Sequence, residues 1–368
     1  MISKALVVSA YHTKLSELIA LGVDLHVVIP KSWGSYIPEN PQGKGYKIHR
    51  LPVYFSGKNH FHFYTDLRET IESIRPDLLH VDEEPYSFVT YQAMKIVRRN
   101  RYASLFFTWQ NIYKKYPFPF SSIEQYNYSV ASVAIAGNDD AKEVLGQKGF
   151  SKDIFIIPQF GVDPQLYSRR DVSMTKKTIF GSSEVPAIGF IGRLVEEKGI
   201  LDLVEAFSRI RENPNLLIIG NGPLKPKIIL KAQQLSVLER VRLIDCVPSK
   251  DIPQYLNLLD CLILPSLTRP NWKEQFGRVL IEAMACEVPV IGSTSGEIPR
   301  VIGNAGLIFR EGDITDLQQK IEMIIFDNHL KEKLRNDGLL RVREQFTQQS
   351  IASQTYQVYR KVLKDHSG

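Results

Sequence analysis

Two carboxylates, Glu274 and Glu282, stand eight positions apart with Phe276, Gly277 and Arg278 between them. The apolar run Cys261-Leu-Ile-Leu-Pro265 just upstream reads as a buried strand over residues 262–264. Gly277 reads as the opening of a helix that ends near Cys286. Glu274 then lies on the loop leaving the carboxyl end of a strand, and Glu282 lies inside the helix. The helix N-terminus between them offers unpaired backbone N–H groups and a positive dipole end, which suits a phosphate. A phosphate flanked by acceptors for hydroxyl groups is what a nucleotide-sugar demands. The plain alternative is one solvated glutamate and one on a helix surface.

A second group of residues bears on the same chemistry. Ala187-Ile-Gly-Phe-Ile-Gly192 reads as a strand, Arg193-Leu-Val-Glu-Glu-Lys198-Gly199 as its exit loop, and residues 200–210 as a helix. A strand, a loop with two cations and a helix can hold a diphosphate, with Arg193 binding bidentately and Lys198 as a point charge. A third element, Leu216-Leu-Ile-Ile-Gly220-Asn-Gly222-Pro223, runs a strand into a Gly-x-Gly turn. That turn is an ordinary strand-to-helix connection as often as a binding loop. Its proline at the helix start argues against the dinucleotide fingerprint.

In their order, these motifs resemble the C-terminal domain of family 4 retaining glycosyltransferases. The matching stretch, residues 187–309, holds Gly192-Arg193 with Lys198-Gly199, Gly220-Asn-Gly222-Pro223, Asp260-Cys-Leu-Ile-Leu-Pro265-Ser266 and the paired glutamates. It continues through Glu282-Ala-Met-Ala-Cys-Glu287-Val-Pro289, Gly296-Glu297 and Gly306-Leu307. Glu287 departs from the family, where glycine is usual. The resemblance implies the GT-B fold, an α/β architecture of two Rossmann-like, doubly wound domains facing across a cleft. It implies that Glu274 contacts hydroxyls of the transferred sugar and Glu282 the ribose hydroxyls. Backbone amides near Gly192, Phe276, Gly277 and Arg278 would approach the donor, Arg193 and Lys198 would neutralise the diphosphate, and Val247 would help wall the base. It also implies front-face transfer with retention, in which the leaving phosphate helps to deprotonate the acceptor and no metal or other cofactor takes part. Two other readings of the same architecture are a sugar-nucleotide epimerase, using Asp82 or Glu84, and a two-lobed protein that binds its ligand without reaction.

The elements that must position these groups alternate short apolar strands with amphipathic helices, the pattern of parallel α/β sheets. In the first half, strands are expected over residues 5–9, 23–29, 78–81, 104–108, 133–136 and 154–157. Asp66 with Glu69 reads as a capping box for a helix that Pro76 stops. The polar, aperiodic stretch 163–182 reads as a linker. The expected domains are therefore residues 1–165 for the acceptor and 183–347 for the donor. By the resemblance, a last helix over about 348–368 returns to the first domain.

The acceptor side is less well marked. His80-Val-Asp-Glu-Glu84-Pro85 resembles the strand-end region of many relatives and would set carboxylates at the cleft mouth. The next strand exits through Trp109-Gln110-Asn111, where many relatives carry a histidine. Gln110 and Asn111 can bond hydroxyls but cannot act as bases near neutral pH. His12, His60 and His62 are the remaining acid/base candidates, each otherwise a surface or packing residue. The aromatic stretch 113–120 suits stacking on a sugar or a lipid carrier, or else loop packing.

At 368 residues the chain is long enough for two domains with ample cores, and 43% hydrophobic with 23% charged residues is ordinary for a globular protein. The formal charge of +6 is spread over both halves, which disfavours a nucleic-acid partner. It leaves room for peripheral contact with the inner membrane face through Arg98-Arg99-Asn100-Arg101 or Lys114-Lys115. Cys246, Cys261 and Cys286 sit in or beside apolar runs without metal spacing and read as reduced, buried thiols of a cytoplasmic protein. The expected partners are a nucleotide-sugar donor and a polysaccharide, lipid-linked or small glycoside acceptor.

Overall fold

The structure, a computed structural model, describes residues 1–35, 45–211 and 213–367. The chain forms two compact units, Met1–Gly161 with Gln348–Gly368, and Val162–Thr347.

The strands of the first unit are β1 (His26–Pro30), β2 (Lys47–Leu51), β3 (Val53–Tyr54), β4 (Phe63–Tyr64), β5 (Leu78–Val81), β6 (Ala103–Thr108), β7 (Val133–Ala136) and β8 (Ile154–Ile156). β1 pairs with β2, and β5 to β8 pair in sequence, all in parallel. Ile2 joins the two groups by parallel bridges to Val28 and Val81. The order β2-β1-Ile2-β5-β6-β7-β8 reverses at Ile2, where a doubly wound sheet has its switch point.

Alternate residues of these strands enter two cores. Val27, Ile29, Leu105, Phe107 and Ile135 face one, and Val28, Leu79, Val81, Phe106 and Ala134 face the other. A parallel sheet covered on both faces requires this period-two split of nearly continuous apolar runs. The final helix, Gln348–Ser367, supplies Ile351, Val358, Tyr359 and Val362 to the first core. Its Tyr359 hydroxyl is 2.6 Å from His80 Nδ1. At its start the Gln348 side chain accepts from Gly161 N at 3.2 Å and donates to Gly161 O at 2.9 Å.

Three expectations in this unit need correction. Residues 5–9 form no strand but two 3-10 turns, Ala5–Val7 and Ser9–Tyr11. Ile2 already occupies the place between β1 and β5, so the apolar run turns aside and buries Leu6 and Val7 in the core. The helix Leu67–Ile74 is present, but its capping box is not. The Asp66 carboxylate instead accepts from Thr65 Oγ1 at 3.0 Å, and left-handed Arg75 ends the helix before Pro76. The carboxylates after β5 are also not open at a cleft mouth. Asp82 accepts from Ser3 Oγ at 2.7 Å and Gln159 Nε2 at 2.9 Å, and Glu83 pairs with Lys4, both carboxylates being buried.

The second unit holds one six-stranded parallel sheet: β9 (Ala187–Ile191), β10 (Asn215–Ile219), β11 (Val241–Ile244), β12 (Cys261–Leu264), β13 (Val290–Ser293) and β14 (Leu307–Phe309). Its order is β11-β10-β9-β12-β13-β14, so the switch point lies between β9 and β12. The stretch read as a linker carries the helix Ser173–Phe180 and belongs to this unit. Cys246, on the loop after β11, is exposed, whereas Cys261 and Cys286 are buried. Among the described residues no helix is long and apolar enough to cross a membrane.

Candidate active site

The two central strands of the second unit leave the sheet side by side, and their exit loops bring together the residues that the sequence singles out. After β9 the chain makes the 3-10 turn Glu196–Lys198 and enters the helix Ile200–Ser208 through Gly199. Gly199 has a φ of +63°, and a Cβ there would stand 1.8 Å from the Pro265 carbonyl oxygen. Only glycine lets the turn lie this close to the exit of β12. The approach delivers Lys198 Nζ to 2.5 Å from Glu274 Oε2, an oxygen that also accepts from Ser266 Oγ at 2.8 Å. The Lys198 ammonium lies over the Trp272 ring, 5.0 Å from its centroid.

Glu274 is buried, and its carbonyl accepts from Glu297 N at 3.1 Å, so the loop is held from both sides. Gly277 then opens the helix Arg278–Ala285 in a left-handed conformation, without a side-chain cap. The unit thereby presents a helix N-terminus at the carboxyl end of its sheet, next to the switch point. Phe276 packs its ring edge-on against Phe346, with centroids 5.7 Å apart, so its side chain serves packing. Gly220 and Gly222 are packing glycines. A Cβ at either would meet the carbonyl oxygen of Gly192 or Leu194, at 1.8 and 2.4 Å. The Gly-x-Gly turn thus supports the Gly192–Leu194 backbone from beneath. Arg193 stands at the rim with its side chain 65% exposed, 3.6 Å from Glu197.

Glu282 lies one helical turn beyond Arg278 and pairs with it at 2.9 Å. Burial pushes the Glu282 carboxyl above its ordinary value, against the pull of Arg278 and of the nearby Tyr167 hydroxyl. That hydroxyl also lies 3.3 Å from the Ser249 carbonyl oxygen. Tyr167 therefore links Glu282 to the segment after β11 that contains the half-buried Val247. Glu274 and Lys198 are brought into direct contact, while Glu282 and Arg278 form a neighbouring pair.

The acceptor-side candidates of the first unit are mostly engaged within it. His12 is buried with both nitrogens bonded, Nε2 to Leu6 O at 2.7 Å and Nδ1 to Tyr46 Oη at 3.0 Å. His62 is fully buried, its Nδ1 on Asn59 O at 3.0 Å, and burial lowers its pKa to about 4. Both are packing histidines. Glu84 accepts from Thr108 Oγ1 at 2.6 Å and Trp109 N at 2.9 Å, which ties down the exit of β6, and burial raises its pKa. Gln110 accepts from Lys148 and donates to Ile112 O, and Asn111 is buried beside it. His60 packs on Tyr86 at 4.8 Å and keeps a buried Nδ1 without a partner.

Residues 175–340 match the family described as glycosyl transferases group 1. The matched stretch lies within the second unit. N-acetyl-alpha-D-glucosaminyl L-malate synthase of Bacillus anthracis is 32% identical over 219 residues, 58% of this chain and 55% of that protein. The capsular polysaccharide biosynthesis glycosyltransferase CapM of Staphylococcus aureus is 32% identical over 186 residues, 49% of this chain and 47% of that protein. The match thus spans about half the length of these curated relatives. Among solved structures, HepE of Anabaena in complex with UDP superposes with a TM-score of 0.76 at 17% identity, over 95% of this chain and 96% of that one. The fold of the whole chain is accordingly the GT-B fold of such glycosyltransferases.

Within this glycosyltransferase domain, two residues escaped the sequence reading. Tyr167 sits in a polar stretch without periodicity, and nothing in its neighbours marks it. Trp272 carried a usable signal, a tryptophan two positions before Glu274 on a strand-exit loop.

Proposed function

We propose that the protein transfers a glycosyl group from a nucleoside-diphosphate sugar to a hydroxyl of a polysaccharide, lipid-linked or small glycoside acceptor, with retention at the anomeric carbon. The observation that carries this reading is the contact of Lys198 and Ser266 with Glu274 beside the open N-terminus of the helix Arg278–Ala285. In this proposal Lys198, Arg193 and the helix end receive the diphosphate, and Glu274 accepts from sugar hydroxyls. Glu282, steadied by Arg278 and Tyr167, takes the ribose. The bond from the anomeric carbon to the phosphate oxygen breaks, and the acceptor oxygen bonds to the same face. The acceptor proton passes to the departing phosphate. The charge that grows on that phosphate is stabilised by fixed donors, so the proposal assigns no metal to the step.

The test is product analysis by mass with a panel of nucleotide-sugars and hydroxyl acceptors, beside calorimetric titration with free nucleoside diphosphates. Transfer with an unchanged anomeric configuration supports the reading. Inverted product, or release of free sugar as the sole outcome with every acceptor, overturns it.

A further inference from the structure

The first unit carries an aromatic surface that lies outside the residues assigned to the donor. It is built from the connection between β3 and β4 and from the stretch after β6 that runs to Phe120. The two are locked together by rings. Phe61 meets Phe120 edge-on with centroids 5.3 Å apart, and Phe88 lies within 6.0 Å of both. Behind them the Tyr86 ring packs at a tilt against His60 at 4.8 Å and Tyr116 at 4.3 Å. The inner faces of these segments are therefore packed against one another.

Their outer faces are open. Phe118 is 83% exposed, Phe55 61%, Tyr54 57% and Phe61 47%. Single exposed apolar side chains are ordinary, but four large aromatics on two interlocked loops mark an interaction surface. Lys58, Lys114 and Lys115 are exposed on the same loops, and none of their ammonium groups makes an ion pair among the described residues. The surface thus joins exposed aromatic rings to lysines that are not ion-paired among the described residues. Phe55 and Phe118 offer no hydroxyl or N–H for a sugar, whereas the acyl boundary of a bilayer accepts such rings, with lysines reaching the headgroups.

The other basic cluster of the unit lacks these properties. The Arg98 guanidinium lies over the Tyr126 ring at 5.8 Å, and Arg99 is 3.9 Å from Glu72. Two of its three arginines thus make contacts within the protein.

We propose that this aromatic and lysine surface seats the protein on an anionic lipid bilayer, with Phe55 and Phe118 entering the headgroup boundary and Lys58, Lys114 and Lys115 meeting lipid phosphates. The proposal stands on the first unit alone and is independent of the donor site.

Sedimentation of the full chain with vesicles tests it. The protein is expected to pellet with vesicles of equal phosphatidylcholine and phosphatidylglycerol, to stay in solution with phosphatidylcholine alone, and to be released by salt. Lys58→Gln with Lys114→Gln and Lys115→Gln should weaken binding by roughly fivefold per lysine, about a hundredfold together. Phe55→Ser with Phe118→Ser should weaken it by about tenfold or more. Phe118→Trp should add emission that brominated lipids quench. A wild-type chain that remains in the supernatant overturns the proposal. So does a serine double variant that melts like the wild type and still pellets equally, or a Phe118→Trp emission that brominated lipid leaves untouched.

Discussion

Lys198 Nζ and Glu274 Oε2, 2.5 Å apart, join the exits of the two central strands of the glycosyltransferase domain. The ion pair is most of the way out of water, with side-chain exposures of 14% and 9%. Under the proposed function, a diphosphate draws Lys198 away from Glu274, and a sugar hydroxyl shares Glu274 with Ser266. Donor binding thus exchanges one charge-assisted contact for others. Under the proposed mechanism, Lys198→Ala should lower kcat by about 10²- to 10³-fold, the loss typical of one fixed donor to developing charge. Steady-state kinetics with a circular dichroism control checks this. Unchanged turnover and unchanged nucleotide affinity would remove Lys198 from the site.

The Glu282 carboxylate pairs with Arg278, and the Tyr167 hydroxyl lies close enough to act on it. If it receives the ribose, Glu282→Gln should weaken nucleoside diphosphate binding by about tenfold or more, in line with hydrogen bonds to charged groups. Tyr167→Phe leaves the carboxylate less well placed and should narrow the preference for a ribonucleotide over its 2′-deoxy counterpart. Calorimetric titration with both nucleotides reads the ratio. A ratio untouched by either substitution would place the ribose elsewhere.

Gly199 tests the backbone that positions Lys198. An alanine there must adopt a φ of +63° and meet the Pro265 carbonyl oxygen. Left-handed strain alone is worth about 1 kcal/mol or more, and the contact adds to it. Gly199→Ala should therefore destabilise the second unit by about 2 kcal/mol or more and depress turnover beyond the fraction unfolded. Thermal melting beside kinetics on the folded fraction separates the two effects.

The first unit should lose stability in mild acid. His62 has its folded pKa lowered to about 4 by burial, against an ordinary 6.5. Below about 6.5 the unfolded chain takes up a proton that the folded chain refuses. The stabilising contribution is thus complete above that pH and is lost as the pH falls toward 4. Burial raises the carboxyls of Asp82 and Glu84, which act with the opposite sign at low pH, so the informative quantity is a difference. The wild type minus His62→Gln should change by about 2 kcal/mol between pH 7 and pH 5, read from urea unfolding of the first unit. A flat difference would mean that His62 is not held neutral.

The second unit was far easier to read than the first. Its strands end in motif residues, and the chemistry lies close to the backbone, so Glu274, Lys198 and the helix opening at Gly277 follow from local order. Residues 5–9 show the limit of that reasoning. Ala5-Leu-Val-Val-Ser9 is apolar enough for a strand, and no local signal tells it that Ile2 already fills the slot between β1 and β5. Glu84 and His12 fail for a related reason. Their types suit acid/base work, but distant partners, Thr108 for one and Tyr46 for the other, absorb them into the scaffold. Tyr167 joins a carboxylate more than a hundred positions away, a pairing that only the folded chain reveals.

The final helix belongs to the first unit, although the whole second unit is inserted before it. During synthesis the glycosyltransferase domain can complete its sheet and close its core while the first unit still lacks Ile351, Val358 and Val362. Maturation should therefore run from the middle of the chain outward, with the N-terminal half waiting, part of one core uncovered, for the helix Gln348–Ser367 to emerge. A nascent chain halted near residue 347 would present a finished second unit tethered to an apolar surface, the form on which chaperones act.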